Sequence, residues 1–101
     1  MASTFHFEIL TPEKVFYRGV VSSLVTPGFD GYFGVLANHT SLIARSNGGK
    51  LKIRETSGEE RFFQLGAGIV EVLRNRVVFL TKQARQTADE QSKTSPVEIK
   101  P

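Results

Sequence analysis

In the first 83 positions, apolar residues recur at every second place in short runs, and glycine or proline closes most of those runs. A chain punctuated this closely has no room for helices and must build its core from short strands. Phe5, Phe7 and Ile9 alternate with His6 and Glu8, as in a strand with one buried and one wet face. Thr11-Pro12 breaks that strand. Val15–Tyr17 and Val20–Thr26 are rich in β-branched and aromatic residues, with Gly19 between them and Pro27-Gly28 after them. Asp30-Gly31 is a hairpin-turn signal. Leu51 and Ile53 alternate with Lys50, Lys52 and Arg54, and this strand is expected to pair with Arg61–Leu65 across Thr56-Ser57-Gly58-Glu59. Ile69–Leu73 and Val77–Leu80 make another hairpin around Arg74-Asn75-Arg76. Roughly seven to ten short strands at this spacing predict an all-β sandwich or barrel. The run Val77-Val78-Phe79-Leu80 is apolar on both alternating faces, so its outer face is either covered by the chain or offered to a partner. A chain of 101 residues has little material to cover a second face, which favours a partner.

The same length fits one domain with one core. Residues 1–83 carry all eight Phe, all nine Gly and the whole +3 net charge, and are expected to be the folded domain. Residues 84–101 are balanced in charge and poor in apolar side chains, and are expected to form a polar flexible tail with one helical turn around Ala84–Asp89. No apolar run is long enough for a transmembrane helix. The first residues lack the basic-then-apolar pattern of a secretory signal, so none is expected within this numbering. The absence of cysteine excludes disulfides, thiolate catalysis and cysteine-ligated metal. Two histidines 33 positions apart do not suggest a metal site.

No stretch carries enzyme chemistry. Gly66-Ala67-Gly68 resembles a truncated dinucleotide fingerprint, but strand-like Ile69–Leu73 follows it where a helix is required. It is expected to mark a bulge or a close strand crossing. The glycine-rich stretch from Gly28 to Gly34 lacks the Lys-Ser/Thr end of a phosphate loop, and more simply turns the chain with Phe29 or Tyr32 at the tip. Asp30, His39 and nearby serines name a hydrolytic triad only on paper, without a nucleophile elbow. His39 is expected to hydrogen-bond a turn or touch a partner, and His6 to face solvent. Lys50, Lys52, Arg54 and Arg61 beside Phe62 and Phe63 sketch a basic face of the kind that binds single-stranded nucleic acid. Glu55, Glu59 and Glu60 lie at the same hairpin end and are expected to dilute it.

These segments together are similar to a known family. Phe7-Glu8-Ile9-Leu10-Thr11-Pro12-Glu13, Gly19-Val20-Val21, the run from Pro27 to Leu36 with Asn38-His39, and Gly66-Ala67-Gly68-Ile69-Val70-Glu71-Val72 resemble the epsilon subunit of the rotary F-type ATP synthase, in order and spacing. The resemblance implies a flattened two-layer β-sandwich of about ten strands. It implies a rotor subunit without an active site, cofactor or metal, joining the gamma shaft to the membrane c-ring and coupling proton flow to ATP synthesis. Its place would be the cytoplasmic face of a bacterial plasma membrane, held there only through the complex. By resemblance Thr11, His39 and Leu42 lie toward gamma, and Phe29, Asp30, Gly31 and Tyr32 form the loop that reaches the ring. Ala37 and Ser41 stand where many members have proline, and Tyr32 where an acidic residue is common. Long members continue into a helical hairpin, whereas this chain resembles the short form. The alternative from the residues alone is a small basic β-sandwich or barrel that binds single-stranded nucleic acid through Lys50–Arg54.

Overall fold

A computed structural model describes residues 3–87. Nine strands form among them, with no helix: β1 (Phe5–Leu10), β2 (Val15–Pro27), β3 (Tyr32–Val35), β4 (Leu42–Ser46), β5 (Gly49–Glu55), β6 (Glu60–Leu65), β7 (Gly68–Leu73), β8 (Arg76–Thr81) and β9 (Ala84–Thr87). They join in the order β4-β7-β8-β1-β2-β5-β6-β9, with β3 also on β2. All pairs are antiparallel except β1 with β8.

The 13-residue β2 belongs to two layers. Its first half, through Val21, pairs with β1, and its second half pairs with β3 and β5. Between Val21 and Ser23 the β5 register slips, leaving Ser22 as a bulge whose hydroxyl donates to the Arg54 carbonyl. Such a bulge bends and twists a strand, which lets one strand turn from one layer into the next. The sheet thus folds into a sandwich, β4-β7-β8-β1-β2 over β3-β2-β5-β6-β9, as the alternation predicts. The core fills the space between, with Phe5, Phe7, Ile9, Val70, Val72, Val77 and Phe79 facing Leu24, Val35, Leu51, Ile53, Phe63 and Leu65.

A second bulge sets the aromatic packing. Ile9 opposes Tyr17 and Leu10 opposes Val15, so Phe16 is the extra residue. Consecutive rings that would otherwise point to opposite faces can then both reach inward. Phe16 and Tyr17 both meet Phe63 of the other layer, with centroids 6.1 and 5.2 Å away, and Tyr17 lies 5.9 Å from Phe7. Gly19 does not break the strand as the sequence suggested. It pairs with Phe7 inside the ladder, and the Tyr17 ring covers the place where its side chain would stand.

Strand β8 lies between β1 and β7. On its outer face Val78 sits between Glu8 and Glu71 and is 8% exposed, while Leu80 stays 41% exposed. The doubly apolar run therefore reflects both a central strand and an open apolar position. The Gly66–Gly68 crossing is as expected: a side chain at Gly68 would collide with the Leu80 carbonyl.

The folded domain runs past residue 83. The Gly66 amide donates to the Gln83 carbonyl at 2.9 Å and delivers the chain to the open side of β6. Ala84–Thr87 then pairs with Phe62–Leu65 as β9 instead of forming a helical turn. A lone helical turn has no packing face to support it, whereas the ladder satisfies its backbone directly. The rest of the expected tail, residues 88–101, lies outside the described residues.

Phe63 is 1% exposed and touches both rings of the bulge. Phe63→Ala is expected to cost about 3–5 kcal/mol in urea unfolding, against less than about 0.5 kcal/mol for Ile43→Ser on the open outer face.

Candidate functional site

Two surfaces carry residues that the sequence singled out. The first is the loop between β2 and β3. The Gly28 amide donates to the Gly31 carbonyl at 2.7 Å, and Gly31 takes φ 129°, a conformation that side chains resist. Ser46 Oγ donates to the Pro27 carbonyl (2.7 Å) and Asn47 Nδ2 to the Phe29 carbonyl (3.0 Å), so the end of β4 and the residue after it fix the loop from below. The guanidinium of Arg45 lies 5.2 Å from the Phe29 ring centroid. Tyr32 Oη accepts from the Lys50 amide at 3.3 Å. With the backbone held this firmly, Phe29 and Tyr32 remain 56% and 59% exposed. Asp30 and Gly31 are exposed between them.

The second surface lies on the outer face of the β4-β7-β8-β1-β2 layer. Ile69 and Leu80 are directly paired, and Leu80 is paired with Leu10. This apolar row opens into a groove of about 740 Å³ whose walls include Thr11, Pro12 and Ala67. Thr11 closes a tight turn there, its amide and hydroxyl both donating to the Lys14 carbonyl. The sequence marked Thr11 but missed Ile69 and Leu10. The signal for Leu80 was present in the doubly apolar run; for the others it required knowing which strands become neighbours.

Thr11, His39 and Leu42 do not form one patch. Asn38, at φ 65°, donates its amide to Asn75 Oδ1, which sets His39 beside the β7–β8 turn. The His39 ring nitrogen Nδ1 lies 2.7 Å from the Thr40 carbonyl, a local turn contact. His6 at that end of β1 pairs with Arg76, and Leu10 at the other end pairs with Leu80, so Thr11 lies at the opposite end of the layer from His39. Leu42 pairs with Val72 and packs partly on the core.

The titratable groups tie strands together. Glu8, on the outer face with its side chain 10% exposed, accepts from Arg18 at 2.6 Å and from Arg76 at 3.4 Å. The Arg18 hydrogen bond holds its carboxyl below the usual carboxylate range, although burial opposes the shift. Glu55 Oε2 accepts from Tyr17 Oη and from Arg61 Nε, both at 2.8 Å. The Tyr17 hydroxyl leads in lowering the Glu55 pKa, and burial leads in raising that of Tyr17. No hydrogen bond joins Asp30, His39 and a serine among the described residues, nor do His, Asp and Glu cluster there as a metal site. Phe62 and Phe63 are 4% and 1% exposed, so the stacking platform that the nucleic-acid alternative needs is buried.

Among the described residues, nine strands thus make a sandwich that carries an exposed aromatic loop and a separate apolar groove. Residues 4–87 match the family model of the ATP synthase Delta/Epsilon chain β-sandwich domain, and the chain belongs to that family. It is 36% identical over 78 residues to the ATP synthase epsilon chain of Chlorobium limicola, covering 77% of this chain and 89% of the relative. It is 41% identical over 81 residues to the ATP synthase epsilon chain of Leptospira borgpetersenii, covering 79% of this chain and 62% of that longer relative. Its fold is similar to a chain in the Euglena gracilis mitochondrial ATP synthase (OSCP/F1/c-ring), with a TM-score of 0.78 at 17% identity, covering 88% of this chain and 58% of that one. A chain in the Tetrahymena thermophila mitochondrial ATP synthase central stalk and c-ring gives 0.66 at 17% identity, over 94% and 72% of the two chains.

The ion pairs set a pH dependence. Glu8 and Glu55 are lowered in the fold relative to the unfolded chain, where a glutamate titrates near about 4.3. The unfolded chain thus takes up protons first as the pH falls. The stability these carboxylates contribute is complete above the unfolded value and is lost as pH drops through the folded ones. Resistance to urea unfolding is expected to fall below about pH 5, and Glu8→Gln is expected to flatten that slope while lowering stability at neutral pH.

Proposed function

We propose that this chain is a non-catalytic rotor subunit of a proton-translocating F-type ATP synthase. It joins the gamma shaft to the membrane c-ring, so that ring rotation turns the shaft and proton flow is coupled to ATP synthesis. The observation that carries this reading is the pairing of two distinct docking features on one rigid sandwich, in a chain of this family. The Phe29–Tyr32 loop offers two exposed aromatics on a backbone fixed by the end of β4 and the residue after it. Preorganised aromatic anchors suit an interface that must bear load, because little order has to be gained on binding. Phe29, Asp30, Gly31 and Tyr32 are assigned to the ring.

Gamma is assigned to the layer that carries Thr11 and the Leu10–Leu80–Ile69 row, with His39 and Leu42 at its far end. An apolar row bordered by the Glu8–arginine cluster has the composition of an interface core with a polar rim. The continuous sheet between the two features transmits force without a hinge. The subunit works at the cytoplasmic face of the bacterial plasma membrane and reaches it through its partners. It needs no cofactor or metal.

Replacing Phe29 and Tyr32 together by Ser is expected to cost the domain no more than about 1–2 kcal/mol. ATP-driven proton pumping in reconstituted membranes falls, while ATP hydrolysis by the detached soluble enzyme persists. Strong unfolding of the double mutant, or unchanged pumping, removes the ring assignment.

Leu80→Asp places a charge in the apolar row without touching the core. It is expected to reduce co-purification of gamma at least tenfold while the domain melts within a few degrees of the parent. Undiminished recovery of gamma moves that interface elsewhere on the sandwich.

A further inference from the structure

Among the described residues, the outer face of the β3-β2-β5-β6-β9 layer is predominantly cationic. Strand pairing places Lys50 beside Gln64 and Gln64 beside Arg85 in one row across it. Lys52, paired with Phe62, and Arg54, paired with Glu60, continue the face along β5. Four cations thus share it with one carboxylate, Glu60, which is 3.9 Å from Lys52 and 2.9 Å from Arg54. Lys50 and Arg85 have no ion pair among the described residues.

Of the three acids that the sequence set against this face, only Glu60 lies on it; the other two point elsewhere. Glu55 turns toward Tyr17 and Arg61, and Glu59 lies 3.9 Å from Arg61 on the other side of the hairpin. At one rim stands Tyr32, whose hydroxyl meets the Lys50 amide and whose ring is 59% exposed. Phe29 and Arg45 lie just beyond it. Lysine and arginine on a broad face, rimmed by exposed aromatics, match an anionic bilayer surface. The cations attract phosphate headgroups, and rings of this kind settle at the membrane–water boundary. A nucleic-acid strand needs several exposed rings across the face to stack its bases, and among the described residues Phe62 at its centre is 4% exposed, leaving the Tyr32 ring at the edge.

We propose that this face docks on an anionic lipid surface, with Lys50, Lys52 and Arg85 meeting phosphate headgroups. Contacts of this long-range kind hold a molecule near a membrane without fixing it in one place. Such looseness suits a subunit that travels with a turning ring. That consequence rests on the proposed function; the lipid contact itself does not.

The test uses the full chain and vesicles of phosphatidylcholine with about a third phosphatidylglycerol, where each basic residue near the surface adds roughly fivefold to binding. Sedimentation at low salt is expected to show binding at least tenfold stronger than to phosphatidylcholine alone, lost near about 0.5 M salt. The Lys50→Gln, Arg85→Gln double variant is expected to bind roughly tenfold or more weakly with an unchanged melting temperature. Arg74→Gln, in the distant β7–β8 turn, is expected to bind within about twofold of the parent. Equal binding to neutral vesicles, equal losses in the two variants, or tighter salt-sensitive binding of an oligodeoxythymidine strand through Lys50 and Arg85 each overturns the proposal. These readouts need neither gamma nor the ring, so they fail or succeed separately from the coupling experiment.

Discussion

Strand β2 must serve two layers at once, and the rest of the sandwich depends on how it does so. A straight 13-residue strand would carry β1 and β5 in one flat sheet with its apolar face open to water. The bulge at Ser22 bends it, so that Val21 and Leu24, on either side, both face the common core. Burial of the rings of Phe5, Phe7, Phe63 and Phe79 follows from that bend. The hydrophobic gain from closing the two layers is what makes a sheet of short strands stable at this size. The bulge at Phe16 adds to the closure by sending two consecutive rings across to Phe63.

Polar ties complete the fold where apolar packing thins out. Tyr17 lies in the first half of β2, Glu55 at the end of β5 and Arg61 in β6, and their shared hydrogen bonds link the two layers at one edge. Glu8 does comparable work on the outer face, where Arg18 of β2 and Arg76 of β8 converge on it from both sides. A buried carboxylate with two arginine partners fixes the lateral register of three strands. Losing one partner would leave a poorly hydrated charge, so such groups specify an arrangement more than they add stability.

The same architecture distributes the exposed aromatic, apolar and cationic surfaces. Loops held by several backbone and side-chain bonds, such as Gly28–Gly31, keep aromatic rings in water without collapse onto the core. The apolar row of Ile69, Leu80 and Leu10 uses the outer face of one layer, and the cations of Lys50, Lys52 and Arg85 use that of the other. A thin sandwich exposes both outer faces, so one small domain can meet chemically different surroundings without moving parts.

The strands were legible in the sequence because period-two alternation and glycine–proline punctuation are local properties. Phe5, Phe7 and Ile9, the hairpin across Thr56–Glu59 and the turn at Arg74–Arg76 needed only neighbours in the chain. The exposed loop at Phe29–Tyr32 was legible for the same reason, since Asp30-Gly31 forces a turn whatever surrounds it. Other features were decided by partners distant in sequence. Gly19 reads as a break until Tyr17 folds over it, and Ala84–Thr87 reads as a helical turn until Gln83 is pinned beside Gly66 and the open edge of β6 accepts it. Glu55 reads as part of a charge-neutral hairpin end until the alternation of side chains sends it inward to Tyr17 and leaves the lysines outside. Thr11 and His39 read as companions until the parallel pairing of β1 with β8 sets them at opposite ends. Local pattern thus determined which residues become strands and turns. Long-range pairing and layer closure decided which of them meet, because only the folded sheet fixes register and face.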